Sequence, residues 1–364
     1  MPPRKAEQIV QVLRNEILSG QRAPGARLPT YDAFIEQFGV TRPTIARGLK
    51  ALRSEGLVTV DGTRGVFVAR TFPHHNRYLW VASEQPGSPQ WTSLLATILE
   101  LVERRDTGIA GEVVPLVGVD GRANNPAYQT LCDAVERGSA AGLLLMNSAT
   151  THLLPALQTP GLPRVAIAAP LPHATLLGLD VAALIDRGCA RLLKKGRRIA
   201  VFSPQARDLE RAQESLLGRG LDKKHLMTMH VAPIGCETIT RLLFDRPDRP
   251  DAVFVTDDSL VSPLLAGLAR AKVRLRRDVY VLAHCNWPRP IGAAEGVDHI
   301  GFDMRELLWA AKETIDAQHA GTTSAPALVP ARFANELLTT NSAARVVDPV
   351  FASAKPSPRL SSAA

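Results

Sequence analysis

At the start of the chain, apolar residues recur at helical spacing. Ile9, Leu13 and Ile17 fall four apart with Val10 and Val12 beside them, and Lys5, Glu7, Arg14 and Glu16 are interspersed, which predicts an amphipathic helix over 5–19 that Gly20 ends. After a Pro24-Gly25 turn, Thr30 is placed to cap a short helix over 31–38 whose Phe34, Ile35 and Phe38 face inward, and Gly39 supplies a left-handed stop. A third helix follows at once. Thr41 is its cap, Pro43 fits its first turn, and Ile45, Gly48, Leu49 and Leu52 make its buried stripe before Gly56. Alternation then replaces helical spacing: Leu57–Val60 and Val66–Val68 read as strands around Asp61-Gly62-Thr63-Arg64-Gly65, a β-wing with Arg64 near its tip.

Two helices joined by about three residues, the second carrying Arg42, Thr44, Arg47, Lys50 and Arg53 on its free face, form the helix-turn-helix pattern, and the wing makes it a winged helix. Proline and polar residues over 71–77 break the pattern and read as a linker. Beyond it, short apolar strands alternate with helical stretches: Tyr78–Ser83, Val113–Val117, Gly142–Met146, Val165–Ala169, Ile199–Phe202, Ala252–Val255 and Val279–Ala283. Such alternation predicts an α/β region of parallel sheets covered by helices, with ligands at the carboxyl ends of the strands. The last residues, 334–364, read as a tail rich in Ser, Ala and Pro toward its end and partly disordered.

Length and charge sharpen this division. The 364 residues suffice for two or three domains, and 45% hydrophobic with 21% charged residues is globular composition. Of the formal charge of +8, residues 1–70 hold +5, with 11 Lys and Arg against 6 Asp and Glu, which points to an anionic partner at the front of the chain. Cys132, Cys189, Cys236 and Cys285 lie far apart without metal-type spacing, so reduced, mostly buried thiols are expected. No apolar run reaches the roughly 18 residues of a membrane span, which with the N-terminal pattern predicts a cytoplasmic protein. Phosphate-loop, dinucleotide, hydrolase-elbow and zincin motifs are all missing from the sequence, so neither an enzyme nor a cofactor is expected.

The blocks Pro24-Gly25-x-x-Leu28-Pro29-Thr30, Phe38-Gly39-Val40-Thr41-Arg42-Pro43-Thr44, Leu52-x-x-Glu55-Gly56-Leu57-Val58 and Gly65-Val66-Phe67-Val68 resemble the DNA-binding domain of GntR-family transcription regulators. The resemblance covers 5–70. It implies that Arg42 and Thr44 touch bases or phosphates, that Thr63 and Arg64 approach the minor groove, and that Arg47 and Lys50 meet phosphates, with Thr30, Thr41 and Pro43 in the same DNA-facing set. This chain has Asp32 where many members carry Arg, and Ala46 where some have a base-reading Arg.

From about 77 to 333, Asp180 before a helix ending Leu192-Leu193-Lys194-Lys195-Gly196-Arg197-Arg198-Ile199-Ala200, then Pro250–Asp258, Asp278–Ala283 and Val297–Asp303, resemble the effector domain of LacI-type regulators, with the periplasmic-binding-protein fold. A GntR-type head on this fold resembles the arabinose-repressor type. The resemblance implies a cleft lined by Gln90, Trp91, Asn147, Arg211, Asp257, Asn286 and Asp303 that closes on a small molecule. Asp258, by its residue type and place, is expected as a helix cap. Domains are expected at 1–70 (DNA-binding), 78–333 (effector-binding and dimerising) and the tail. The implied function is a DNA-binding regulator, a repressor and homodimer on a pseudo-palindromic operator, responding to a sugar or related metabolite. Two alternatives stand beside it: a regulator whose second domain only dimerises, and a small-molecule-binding α/β protein with a non-specific basic head.

Overall fold

The N-terminal helices form where apolar spacing puts them. In the computed structural model, which describes residues 5–18, 21–62, 64–69, 76–88, 90–146, 153–158, 160–288, 295–322 and 327–337, the first helix α1 spans Lys5–Leu18, α2 Tyr31–Phe38 and α3 Arg42–Ser54. Ile9, Leu13, Ile17, Phe34, Ile45 and Leu52 are almost wholly buried between them, each contributing roughly 2 kcal/mol. Thr30 caps α2, its hydroxyl accepting from the Ala33 amide at 3.3 Å, and Gly39 ends it at φ 62°. Thr41 departs from its expected role. It occupies the cap position of α3, but its hydroxyl bonds the Thr44 hydroxyl at 3.0 Å and caps no backbone amide.

Strands β1 (Val58–Asp61) and β2 (Gly65–Val68) pair antiparallel in the register Val58 to Val68, completing the wing. Gly65 sits at φ 120°, and a Cβ there would meet the Arg27 side chain at 3.2 Å, so the wing returns tightly against the loop before α2.

The rest of the chain builds two six-stranded sheets. The first has the order β13-β7-β6-β5-β3-β4, all parallel, from β3 (Arg77–Ala82), β4 (Glu112–Val117), β5 (Gly142–Met146), β6 (Arg164–Ile167), β7 (Thr175–Leu179) and β13 (Ala327–Val329). The second has the order β14-β12-β11-β10-β8-β9, from β8 (Ile199–Ser203), β9 (Leu226–His230), β10 (Ala252–Val255), β11 (Tyr280–Trp287), β12 (Val297–Asp303) and β14 (Arg332–Phe333). It is parallel except for the pair β12 and β14. Nearly every residue of β3, β5, β8 and β10 is buried, as expected of strands covered on both faces.

The chain passes between the sheets three times: after β7, after β12 and between β13 and β14. Helix α6 (Val181–Leu192) makes the first passage and packs on the second sheet, where a Cβ on Gly188 would overlap the Phe254 ring. Helix α10 (Met304–His319) makes the second and packs on the first sheet, its Gln318 amide bonding the Arg164 carbonyl at 2.9 Å. Arg77, the last residue expected in the linker, opens β3 and pairs with β4. Residues 334–337, expected in the tail, form a further helical turn in which Glu336 pairs with Arg187 of α6. Residues 338–364 and most of the expected linker lie outside the described residues.

Candidate DNA-contacting face and effector cleft

On the three helices of the first 70 residues and the loop after α1, the cations fall into two kinds. Arg14 grips Glu55 through two bonds of 2.6 and 2.9 Å, tying α1 to the end of α3, and Arg22 pairs with Glu16. These hold the fold together. Arg42, Arg47, Lys50 and Arg53 lie exposed along the outer face of α3 and form no ion pair with the described residues. Charged side chains without internal partners on a helix that follows a tight turn are free to neutralise phosphates. The Arg42 guanidinium lies over the Tyr31 ring, 5.1 Å from its centre. Thr44 is half-buried and its hydroxyl is taken by Thr41, which fixes the start of the helix. Thr30 is a cap with an exposed surface, and Pro43 is exposed in the first turn of α3. On the wing, Arg64 is exposed but stands 3.6 Å from Asp61, which partly offsets its charge. Thr63 lies outside the described residues.

The second group of polar residues collects where the carboxyl ends of β8, β10 and β11 meet the start of α4 (Ser93–Glu103). Asn286, in β11, donates its amide to the Ser93 hydroxyl at 2.8 Å and to the Asp258 carboxylate at 2.9 Å. The Ser93 hydroxyl donates to that same carboxylate. Ser93 follows a strand of the first sheet, while Asp258 follows a strand of the second and Asn286 lies near the end of another, so this triad bridges the two lobes. Around it lie Asp208, buried in the first turn of α7 (Ala206–Gly218), Asp257 and His284. Burial lowers the His284 pKa, while Asp258, Asp257 and Asp208 draw it upward. Burial raises that of Asp208. Among the described residues the Asn286 Oδ1 and His284 Nδ1 atoms are buried without a hydrogen-bond partner, as are Ser88 Oγ and Glu84 Oε2 in the segment after β3. Buried polar atoms are rarely left so unless a ligand, ion or water completes them.

The two adjacent acids Asp257 and Asp258 both stand at this cluster, in different ways. Asp257, expected in the cleft, caps a short 3-10 turn, accepting from the Ser259 amide at 2.9 Å, because its extended backbone turns the carboxylate back toward the chain. Asp258, expected as a cap, is buried and reaches across to Ser93. Asp303 also caps a helix, accepting from the Arg305 amide at 2.8 Å at the start of α10, and burial raises its pKa. Trp91 is half-buried and packs on the core shared by both sheets. Gln90 and Arg211 are exposed, and Arg211 lies on α7 apart from the triad's hydrogen bonds. Asn147 lies outside the described residues. Of the expected cleft residues the structure therefore brings Asn286 and Asp257 together, and adds Ser93, Asp208, Asp258 and His284. The signal for these was their position: each follows a strand's carboxyl end or opens the next helix.

The four cysteines are unpaired, and burial pushes the Cys189 thiol up to about 12. No group of three potential metal ligands occurs among the described residues, and no described helix is long and apolar enough to cross a membrane.

Residues 5–68 match the family of bacterial regulatory proteins named for gntR. The HTH-type transcriptional repressor NagR of Bacillus subtilis is 36% identical over 63 residues, 17% of this chain and 26% of that protein. The chain thus spans about a quarter of the length of the curated relative it matches. The remainder superposes on a LacI transcriptional regulator from a Rhodococcus species at TM-score 0.52 and 16% identity, covering 70% of this chain and 95% of that one. A LacI-family regulatory protein from Chloroflexus aggregans gives 0.53 and 15%, covering 71% and 96%. At such identities the likeness is one of fold. The chain thus carries, at residues 5–68, the winged helix-turn-helix of the GntR family, joined to a two-lobed body with the LacI-type, periplasmic-binding-protein-like fold.

Proposed function

We propose that this protein is a cytoplasmic, sequence-specific transcription regulator, a repressor, in which residues 1–70 bind DNA and residues 78–333 dimerise and sense a sugar or related metabolite between the lobes. Residues 71–77 link the two and 334–364 form the tail. The observation that carries the reading is the row of cations on α3 without ion-pair partners among the described residues, beside a wing, in a domain where Arg14 and Arg22 are spent on internal pairs. Arg42 and Thr44 face base edges or phosphates, with Thr30, Thr41, Pro43, Thr63 and Arg64 around them, and Arg47 and Lys50 meet phosphates. Two such heads in a homodimer suit a pseudo-palindromic operator. In the cleft, Asn286 Oδ1 offers an acceptor and His284 Nδ1 a donor or acceptor, a set that suits a hydroxyl-rich ligand. Gln90, Trp91, Asn147, Arg211, Asp257 and Asp303 complete the proposed lining.

A second reading rests on the triad itself. Ser93, Asp258 and the Asn286 amide N–H groups already bond one another across the lobes, as a body that only dimerises would have them. Binding to the gene's own upstream DNA, with competitor DNA and a panel of sugars, separates the two. Specific binding altered by one compound supports the sensor. Specific binding indifferent to every compound supports the dimeriser, and binding that competitor abolishes overturns both.

A further inference from the structure

Arg42, Ala46, Lys50 and Arg53 fall along one line of α3, at spacings of four, four and three residues. Three are cations and one is a methyl group. Ala46 is exposed, so the core does not require it to be small. The interruption lines an open notch whose walls are the Tyr31 ring, Pro43, Ala46 and the stem of Arg42. The Arg42 guanidinium lies 5.1 Å from the centre of the Tyr31 ring and has no carboxylate partner among the described residues. Stacking engages the face of a guanidinium and leaves the N–H groups in its plane unused, while restricting the rotamers it would otherwise lose on binding.

We propose that Tyr31, Arg42, Pro43 and Ala46 form one base-edge subsite: the stacked Arg42 takes the O6 and N7 edge of a guanine, and the notch takes the 5-methyl group of a thymine on the adjoining step. This rests on the DNA-binding reading above. The first turn of a recognition helix is the part that meets base edges, and a guanine beside a bidentate arginine and a thymine methyl beside an apolar side chain are the matching chemistries. One notch bordered by both groups ties the two bases together. Tyr31, on the preceding helix, acts as a positioning residue for Arg42 and as one wall for the methyl.

The test alters the DNA first, so that folding of a variant does not enter. Full-length protein is used to select a binding site from random duplexes, and each thymine of the site is replaced in turn by deoxyuridine, which removes only the methyl. Each guanine is replaced by 7-deazaguanine, which removes N7. We expect one thymine whose replacement weakens binding about fourfold, the effect of one buried methyl. An adjoining guanine should lose tenfold or more. Tyr31→Ala should flatten the preference at these two positions while leaving the others, Tyr31→Phe should retain it, and Ala46→Gly should shrink the uracil effect alone. A selected motif with no uracil-sensitive thymine beside a sensitive guanine overturns the subsite and leaves the regulator standing. So does Tyr31→Ala weakening every sequence equally. Selection of no motif at all removes the sequence-specific regulator, and the subsite with it.

Discussion

The carboxyl group of Asp208 is buried in the first turn of α7, and burial raises its pKa above the ordinary 3.8, with Asp257 adding to the rise and Arg207, Ser203 and His284 opposing it. A carboxyl whose folded pKa exceeds its unfolded value stabilises the fold fully below the unfolded value, and that contribution is lost as pH rises through the folded one. At neutral pH the ionised side chain is therefore a net cost to the fold. Asp208→Asn should make the protein more stable than the parent at neutral pH, with the difference shrinking as pH falls toward about 4. Denaturant titrations of both proteins across that range check the sign. A residue that costs stability beside unpartnered polar atoms fits a ligand site, so the same variant should respond less to whichever compound alters DNA binding. A variant less stable than the parent at neutral pH would mean that Asp208 is structural. Asp257 and Asp258 show why such roles were hard to read from the chain. Two adjacent acids after a strand are chemically alike, and only the extended backbone at Asp257 decides that it caps while Asp258 crosses to Ser93.

At the scale of elements, the strands fully buried in mid-sheet were the legible ones. Gly142–Met146 and Ala252–Val255 fall where continuous apolar runs put them, and α2 lies between its expected cap and stop. The edge strand β9 was not anticipated, because Leu226-Met227-Thr228-Met229-His230 is only half covered and its Leu and Met, not branched at Cβ, suit a helix equally well. Strands β13 and β14 are three and two residues long, too short for any period to show. The link between α4 and β11 was invisible for another reason: Ser93 and Asn286 are 193 residues apart and meet only when the lobes do. Ser93→Ala deletes one hydroxyl of that link and leaves Asp258 bonded to Asn286. It should cost about 1.5–3 kcal/mol, the range for a hydrogen bond to a charged group. Amide exchange should quicken at the start of α4 and stay unchanged in the head. Unchanged exchange there would show that the lobes do not depend on the triad for their closure.

For the whole molecule, the division of charge makes DNA affinity an electrostatic quantity that can be counted. Each phosphate neutralised on duplex DNA releases counterions, and the slope of log K against log salt steepens by about 0.9 per contact. Lys50 has no ion-pair partner among the described residues and stands two turns along α3 from Arg42, where a helix seated in the major groove runs past the backbone. Lys50→Ala should therefore weaken binding nearly uniformly across sequences. If two chains hold one operator, the slope should become shallower by about 2; one chain at a time gives about 1. The size of the change thus reports how many heads are seated, independently of any estimate of dimer mass. Arg14→Ala is the contrasting case. Its guanidinium is spent on Glu55, so its loss should lower the melting temperature of the head and leave the salt slope of the folded protein unchanged. A slope that moves with Arg14 and not with Lys50 would put the DNA on a different face of the domain.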